Sequence, residues 1–275
     1  LPYAGRPENL LGLEKNPRYA FIKGDITNKA DVNSAIKSVD AVVHFAAESQ
    51  VDKSIEDPMT FIKTNILGTG VLLDACRRHG RKRFHHVSTD EVYGELGTND
   101  LPFDERTPLN PRSPYAASKA GSDLMVKTYY TAYGLPITIT NCANNYGPYQ
   151  DSEKLIPRFI TRLLSNKKVP LMSRGENIRS WLAVIDHCKA IDIVLKKGKI
   201  GESYCVGGEE KTNLEITLSL LKILGKDRSW ISFVGNRAVN DFRYALDDSK
   251  IRKLGWKTKY DFDRWLKDTV EWYKN

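Results

Sequence analysis

The chain has 275 residues, enough to bury a full core in one large domain or two smaller ones. Its 41% hydrophobic and 28% charged residues are those of an ordinary soluble globular protein, and with no run of 18 apolar residues and no signal-peptide pattern a cytoplasmic location without a membrane partner is expected. The net charge of +8 does not by itself point to nucleic acid: the densest basic run, Arg77-Arg78-His79-Gly80-Arg81-Lys82-Arg83, reads as a helix end where cations complement the macrodipole, and a modest positive excess suits a small anionic nucleotide diphosphate.

Taken in chain order, Tyr19–Ile22 reads as a short strand ending at Lys23-Gly24-Asp25. Residues 31–37 read as helix, 41–45 as a buried strand, and 61–78 as a long amphipathic helix. A strand over 83–87 runs into Thr89-Asp90-Glu91; a helix over 118–133 and a strand over 136–140, ending near Asn144, follow. This alternation predicts an α/β fold with a doubly wound parallel sheet of Rossmann type, in which ligands bind beyond the carboxyl ends of the strands. After about residue 150 the pattern is less regular. Helices are expected over 156–165, 185–196, 213–224 and 262–273, and these segments read as a smaller cap for the substrate. The expected organisation is therefore a dinucleotide-binding domain over 1–150 and a mainly substrate-binding domain over 151–275, with a soft boundary and no internal repeat. Trp265, Val270 and Tyr273 are expected to pack the last helix onto the core.

A dinucleotide-binding sheet should begin with a strand leading into G-x-G-x-x-G. The chain opens instead with the loop-like Leu1-Pro2-Tyr3-Ala4-Gly5-Arg6, and Gly68-Thr69-Gly70 falls inside a helical pattern, where it reads as helix packing. Either an N-terminal strand and glycine loop are missing from this sequence or the nucleotide site is incomplete, and a chain beginning at Leu1 is expected to bind a dinucleotide poorly. Cys76, Cys142, Cys188 and Cys205 lack CxxC spacing and are expected to be reduced thiols. His85-His86 has no carboxylate or cysteine at ligand spacing and reads as alternating strand residues, so no metal is expected.

Two motifs carry chemistry. Ser88-Thr89-Asp90-Glu91-Val92-Tyr93-Gly94 puts a hydroxyl and two adjacent carboxylates at a strand end, where they can divide acid and base roles if their environments separate their pKa values. Tyr115-Ala116-Ala117-Ser118-Lys119 sets a phenol and an ammonium on one helix face; the cation favours the phenolate, which is a base. Together they suggest an enzyme that oxidises an alcohol and then removes water.

On these motifs, and on Lys23-Gly24-Asp25-Ile26, His44-Phe45-Ala46-Ala47-Glu48-Ser49, Asn141 to Pro148 and Glu153 to Pro157, the chain resembles the extended short-chain dehydrogenase/reductase family, in its nucleotide-sugar 4,6-dehydratase branch. The adjacent Asp90-Glu91 is the specific part, because related epimerases and decarboxylases usually differ at the first position. The resemblance implies NAD as cofactor, a nucleotide-diphosphate sugar such as dTDP-glucose as substrate, and a homodimer without nucleic-acid or membrane partners. It implies Tyr115 as the base toward the sugar 4-hydroxyl, Lys119 as its partner, Thr89 on the 4-oxygen, Glu91 on the C5 proton and Asp90 as acid toward the 6-hydroxyl. Asp25, Ile26, Ala46, Ala47, Ser49, Thr64 and Asn145, with Tyr115 and Lys119, are the implied cofactor residues. Asn144, Lys154, Leu155, Arg179, Asn213, Arg237 and Asn240, with Thr89, are those for the substrate. Gln50, Ser180, Ala183 and the segments Met172–Gly175 and Arg237–Asp241 depart from the family pattern and bear on nucleotide or sugar preference. An NAD-dependent epimerase or decarboxylase and a non-catalytic nucleotide-sugar binding protein stay open as alternatives.

Overall fold

The computed structural model of the chain describes residues 4–236 and 239–274, which fall into two units. The first gathers residues up to Val87, then Ser113–Ile139 and Ile200–Glu202; the second gathers Ser88–Arg112, Thr140–Lys199 and the chain from Ser203 onward.

In the first unit, helix α1 (Lys29–Ile36) starts where Asn28 accepts hydrogen bonds from the backbone N–H groups of Ala30 and Asp31, the pairing expected of an asparagine N-cap. Strand β1 (Ala41–His44) follows, then the short helices α2 (Val51–Glu56) and α3 (Pro58–Phe61), the latter capped by Asp57 with proline in its first turn. The chain next widens into a π-helical turn, Ile62–Gly68, before resuming as α4 (Thr69–Arg78). Strand β2 (Arg83–Thr89) runs parallel to β1, Ala41 opposite Arg83 and His44 opposite His86. Helix α5 (Pro114–Tyr133) ends at Gly134, whose φ of +64° is the left-handed conformation that releases a helix C-terminus, and strand β3 (Ile137–Cys142) follows. Val32, Leu73, Phe84, Val126, Ile137 and Ile139 form the apolar centre of this unit.

The second unit takes the ends of β2 and β3 and adds β4 (Asn144–Tyr146), α6 (Leu155–Leu164), β5 (Val169–Met172), β6 (Ile178–Ala183), α7 (Val184–Lys197), β7 (Ser203–Val206), β8 (Glu209–Thr212), α8 (Asn213–Ile223), β9 (Ile231–Val234), α9 (Ser249–Arg252) and α10 (Phe262–Lys274). β4 pairs parallel with β6, and β6 pairs antiparallel with β8, Arg179 opposite Lys211; β5 and β9 make a two-stranded parallel sheet. The larger sheet has the order β1-β2-β3-β7. Thr212 and Glu215 form a reciprocal capping box at the start of α8, which fixes where that helix begins. Tyr146, Phe159, Ile160, Trp181, Leu220, Leu266 and Val270 belong to one core, and Trp265 and Tyr273 pack against it.

Several expected elements differ. Residues 19–22 form no strand, and Phe21 and Ile22 are exposed; β1 ends the sheet order, so among the described residues no neighbouring strand offers 19–22 a ladder. Phe45 lies just past β1 and is 60% exposed, not buried. The long helix expected over 61–78 is two α segments joined by the π turn, and α5 begins four residues before Ser118 because Ser113 caps it. Between the expected helices of the C-terminal half lie strands too short for a period to show. Among the described residues no helix is long and apolar enough to cross a membrane.

Candidate active site

The first unit holds Tyr115 and Lys119 on the opening turns of α5. Ser113 Oγ accepts from Ala116 N at 3.1 Å, and Pro114 supplies the preset φ of a first helical residue, so the sequence fixes the helix start one residue before Tyr115. Tyr115 is buried with the Phe61 ring edge-on at 6.4 Å. Lys119, 4% exposed, donates from Nζ to the Val87 carbonyl at 2.8 Å, which holds the ammonium against β2. Ser118 Oγ donates to Tyr115 O at 2.7 Å and accepts from Asn65 Nδ2 at 2.8 Å. Asn65, in the π turn, also donates to Glu48 O and accepts from Glu48 N, at 3.0 and 2.9 Å. One buried carboxamide thereby ties the segment after β1, which carries Ala46, Ala47 and Ser49, to the turn that carries Tyr115.

Asp25 is exposed, and two hydrogen bonds from Thr27, the backbone one the stronger influence, hold its carboxyl below the usual range. Ile26 lies so close to Gly68 that a Cβ there would come within 2.6 Å of the isoleucine Cδ1; glycine lets the turn after Asp25 rest on the helix. Thr64 is half-buried in the π turn.

The second unit holds the acidic triplet. Thr89 Oγ1 accepts from Glu91 N at 3.3 Å, capping the 3₁₀ turn Asp90–Tyr93, and donates to Asp90 Oδ1 at 3.1 Å. Asn141 Nδ2 holds the Thr89 carbonyl at 3.4 Å. Asp90 is 2% exposed, and its Oδ2 has no hydrogen-bond partner among the described residues. Burial first, and the neighbouring charge of Glu91 second, push its carboxyl up to about 7, against the Thr89 hydrogen bond and the charge of Arg179. Glu91, only half-buried, has a different environment. Two adjacent carboxyls with separated environments can act as acid and base near neutrality. The turn closes at Gly94, with φ +95°, where a Cβ would meet Asn110 O at 2.5 Å.

Other expected substrate residues also lie in this unit. Asn144 and Asn213 each keep a buried Oδ1 with no partner among the described residues. Asn145 donates to Ala143 O at 3.1 Å, and its carbonyl is held by Gln150 Nε2 at 2.8 Å. Lys154 is the N-cap of α6 and Leu155 its first residue, both half-buried. Arg179 is wrapped by acceptors: Ile178 O, Phe242 O, Asp241 O and Asn240 Oδ1, between 2.8 and 3.2 Å, with its guanidinium 4.4 Å from the Tyr244 ring centroid. Asn240 bridges Asn177 and Asn236. Arg237 lies outside the described residues. Thus the expected cofactor residues other than Asn145 share the first unit, and the triplet and described substrate residues share the second.

Asn65, Asn141 and Asn177 were not singled out from sequence. The available signal for Asn65 was its place inside a helical stretch, where asparagine is disfavoured unless its side chain has a partner.

The family model described as GDP-mannose 4,6 dehydratase matches residues 1–269. The chain belongs to this family. A dTDP-glucose 4,6-dehydratase of Actinoplanes sp. is 47% identical over 276 residues, covering 100% of this chain and 86% of that relative. The crystal structure of a dTDP-glucose 4,6-dehydratase from Streptomyces venezuelae, with NAD and TYD bound, is 47% identical with a TM-score of 0.97, covering 100% of this chain and 85% of that one. A UDP-glucose 4-epimerase of Thermus thermophilus in complex with NAD shares the fold at a TM-score of 0.90 but only 28% identity, over 99% of this chain and 89% of that one. The family member described here is accordingly a Rossmann-type α/β protein, and among these relatives its sequence sides with the dehydratases.

Proposed function

We propose that this protein is an NAD-dependent dTDP-glucose 4,6-dehydratase, a lyase that converts dTDP-glucose to dTDP-4-keto-6-deoxyglucose. The observation that carries the reading is Asp90: a buried carboxyl pushed up to about 7 beside a second carboxylate suits acid catalysis on a leaving hydroxyl, which epimerisation does not need. The names of the relatives at 44–47% identity support it. The residues fit the cofactor: Asp25 offers an exposed ionised acceptor to a nucleoside hydroxyl, and Lys119 a buried cation on the helix of Tyr115. Bound NAD supplies a hydride acceptor for C4 and a donor for C6.

In this reading Tyr115 takes the proton of the 4-hydroxyl, helped by the Lys119 charge, and Thr89 hydrogen-bonds the 4-oxygen. Glu91 removes the C5 proton, acidified by the 4-keto group. Asp90 gives its proton to the departing 6-hydroxyl, so that water leaves. Ala46, Ala47, Ser49, Thr64, Ile26 and Asn145 line the cofactor, all within residues 1–150. Asn144, Lys154, Leu155, Arg179, Asn213, Arg237 and Asn240 serve the nucleotide sugar, mainly within 151–275. We place the enzyme in the cytoplasm as a homodimer; a groove of about 420 Å³ in the first unit, where Ile62, Ile66, Leu67 and Met125 lie beside Lys29, Asp74 and Arg78, supports a partner face of mixed character. Incubation with dTDP-glucose followed by mass analysis should show loss of one water. A product of unchanged mass would overturn the assignment in favour of an epimerase.

A further inference from the structure

The first unit contains a buried polar layer to which the chemistry above gives no task. One turn beyond Lys119 in α5, Ser122 and Asp123 meet His86 of β2: Ser122 Oγ lies 3.0 Å from His86 Nε2, and Asp123 Oδ1 lies 3.3 Å from the same nitrogen. Ser122 spends its hydroxyl proton on the Lys119 carbonyl at 2.7 Å, so it can only accept from the imidazole, and His86 must carry its proton on Nε2. His86 Nδ1 has no partner among the described residues and is a bare acceptor. Burial and then the Lys119 charge push this histidine down to about 4. The ring of His44, from β1, stands 5.1 Å away; its Nε2 meets Thr69 Oγ1 of α4 at 2.9 Å, and burial first, then His86 and Lys119, hold it well below the usual value.

At neutral pH both imidazoles are therefore uncharged, and the charges facing His86 are those of Lys119 and Asp123. Both are almost fully buried, four residues apart on one helix face. A buried ammonium is costly unless an anion compensates it, and a buried carboxylate needs donors.

Resting on the reading of Tyr115 and Lys119 given above, we propose that Asp123 is a positioning residue. It sets the charge that Lys119 presents to Tyr115, and its Oδ1 faces His86 Nε2 at 3.3 Å. Asp123→Asn keeps size and shape but removes a negative charge one helical turn from Lys119. The phenolate of Tyr115 is then favoured, and Lys119 itself gives up its proton sooner.

The test has two arms. In single-turnover formation of enzyme-bound NADH from dTDP-glucose, both limbs of the pH profile of Asp123→Asn should move to lower pH by roughly one unit, as loss of a charge at this range predicts. Asp123→Glu, which keeps the charge, should hold them in place. Limbs that do not move in Asp123→Asn overturn the proposal. The second arm reads melting of Asp123→Asn, Lys119→Met and the double variant, and so decides even if dTDP-glucose is not turned over. The double variant should melt above Asp123→Asn, and should fold even if Asp123→Asn does not. Additive losses, or a double variant that also fails to fold, overturn the proposal.

Discussion

Asp90→Asn should make the protein's stability less dependent on pH, by an amount that follows from the site. Below pH 3.8, the ordinary value for an aspartate, both folded and unfolded chains carry the Asp90 proton, and the group contributes nothing. Above it the unfolded chain ionises while the folded chain keeps its proton until about 7, so the folded state holds the extra proton and loses stability as pH rises through this window. Beyond about 7 the penalty is constant. Three pH units at about 1.36 kcal/mol each give a cost of roughly 4 kcal/mol. Asparagine retains an acceptor for Thr89 without the ionisation. Urea unfolding of wild type and Asp90→Asn at intervals between pH 4 and 8 isolates the effect, because titrating groups that do not interact with Asp90 cancel in the difference. That difference should grow in favour of the variant by several kcal/mol, most steeply below pH 7. A flat difference would refute the claim that burial and Glu91 keep this carboxyl protonated. Glu91→Gln, by removing the second cause, should move the window to lower pH.

In the proposed reaction, Tyr115→Phe should abolish enzyme-bound NADH formation, whereas Asp90→Asn and Glu91→Gln should retain it and lose roughly 10²–10⁴-fold in water elimination; stopped-flow absorbance with mass analysis of the product separates the two steps, and equal loss of NADH in all three contradicts the assigned roles. Gly94→Ala forces a side chain into a left-handed φ and against Asn110 O, and should cost about 1–3 kcal/mol in urea unfolding; an unchanged midpoint would show that the turn adjusts freely.

The sequence made strand–helix alternation legible because the strands of the first half end at recognisable turns and their helices carry a clear apolar period. β2 leading into Thr89-Asp90-Glu91, and Tyr115 with Lys119 on α5, were readable for that reason. What escaped depended on contacts distant in the chain. The strand expected over 19–22 had suitable residues, but a strand is defined by its neighbour's hydrogen bonds. β5, β6, β7, β8 and β9, of four to six residues each, are too short for alternation to stand out. Tyr115 and Lys119 were legible as sharing a helix face but not as buried, because Phe61 and the Val87 carbonyl, from elsewhere in the chain, receive them. Arg179 was legible as a cation but not as one surrounded by backbone carbonyls of residues 241 and 242.

The backbone changes unit five times, at 87/88, 112/113, 139/140, 199/200 and 202/203. No continuous fragment of the polypeptide therefore contains the whole of one unit without part of the other. A protease nick or a stop codon near the middle would leave both unfinished, and neither half could be expressed as a soluble piece for separate study. During synthesis the first unit must wait for residues 200–202 to leave the ribosome, long after most of its core residues have emerged. Closure across such separations favours slow, all-or-none folding over stepwise assembly. In the proposed assignment, exchange of substrate preference between relatives is correspondingly easier by point substitution within the second unit than by swapping a contiguous block of chain.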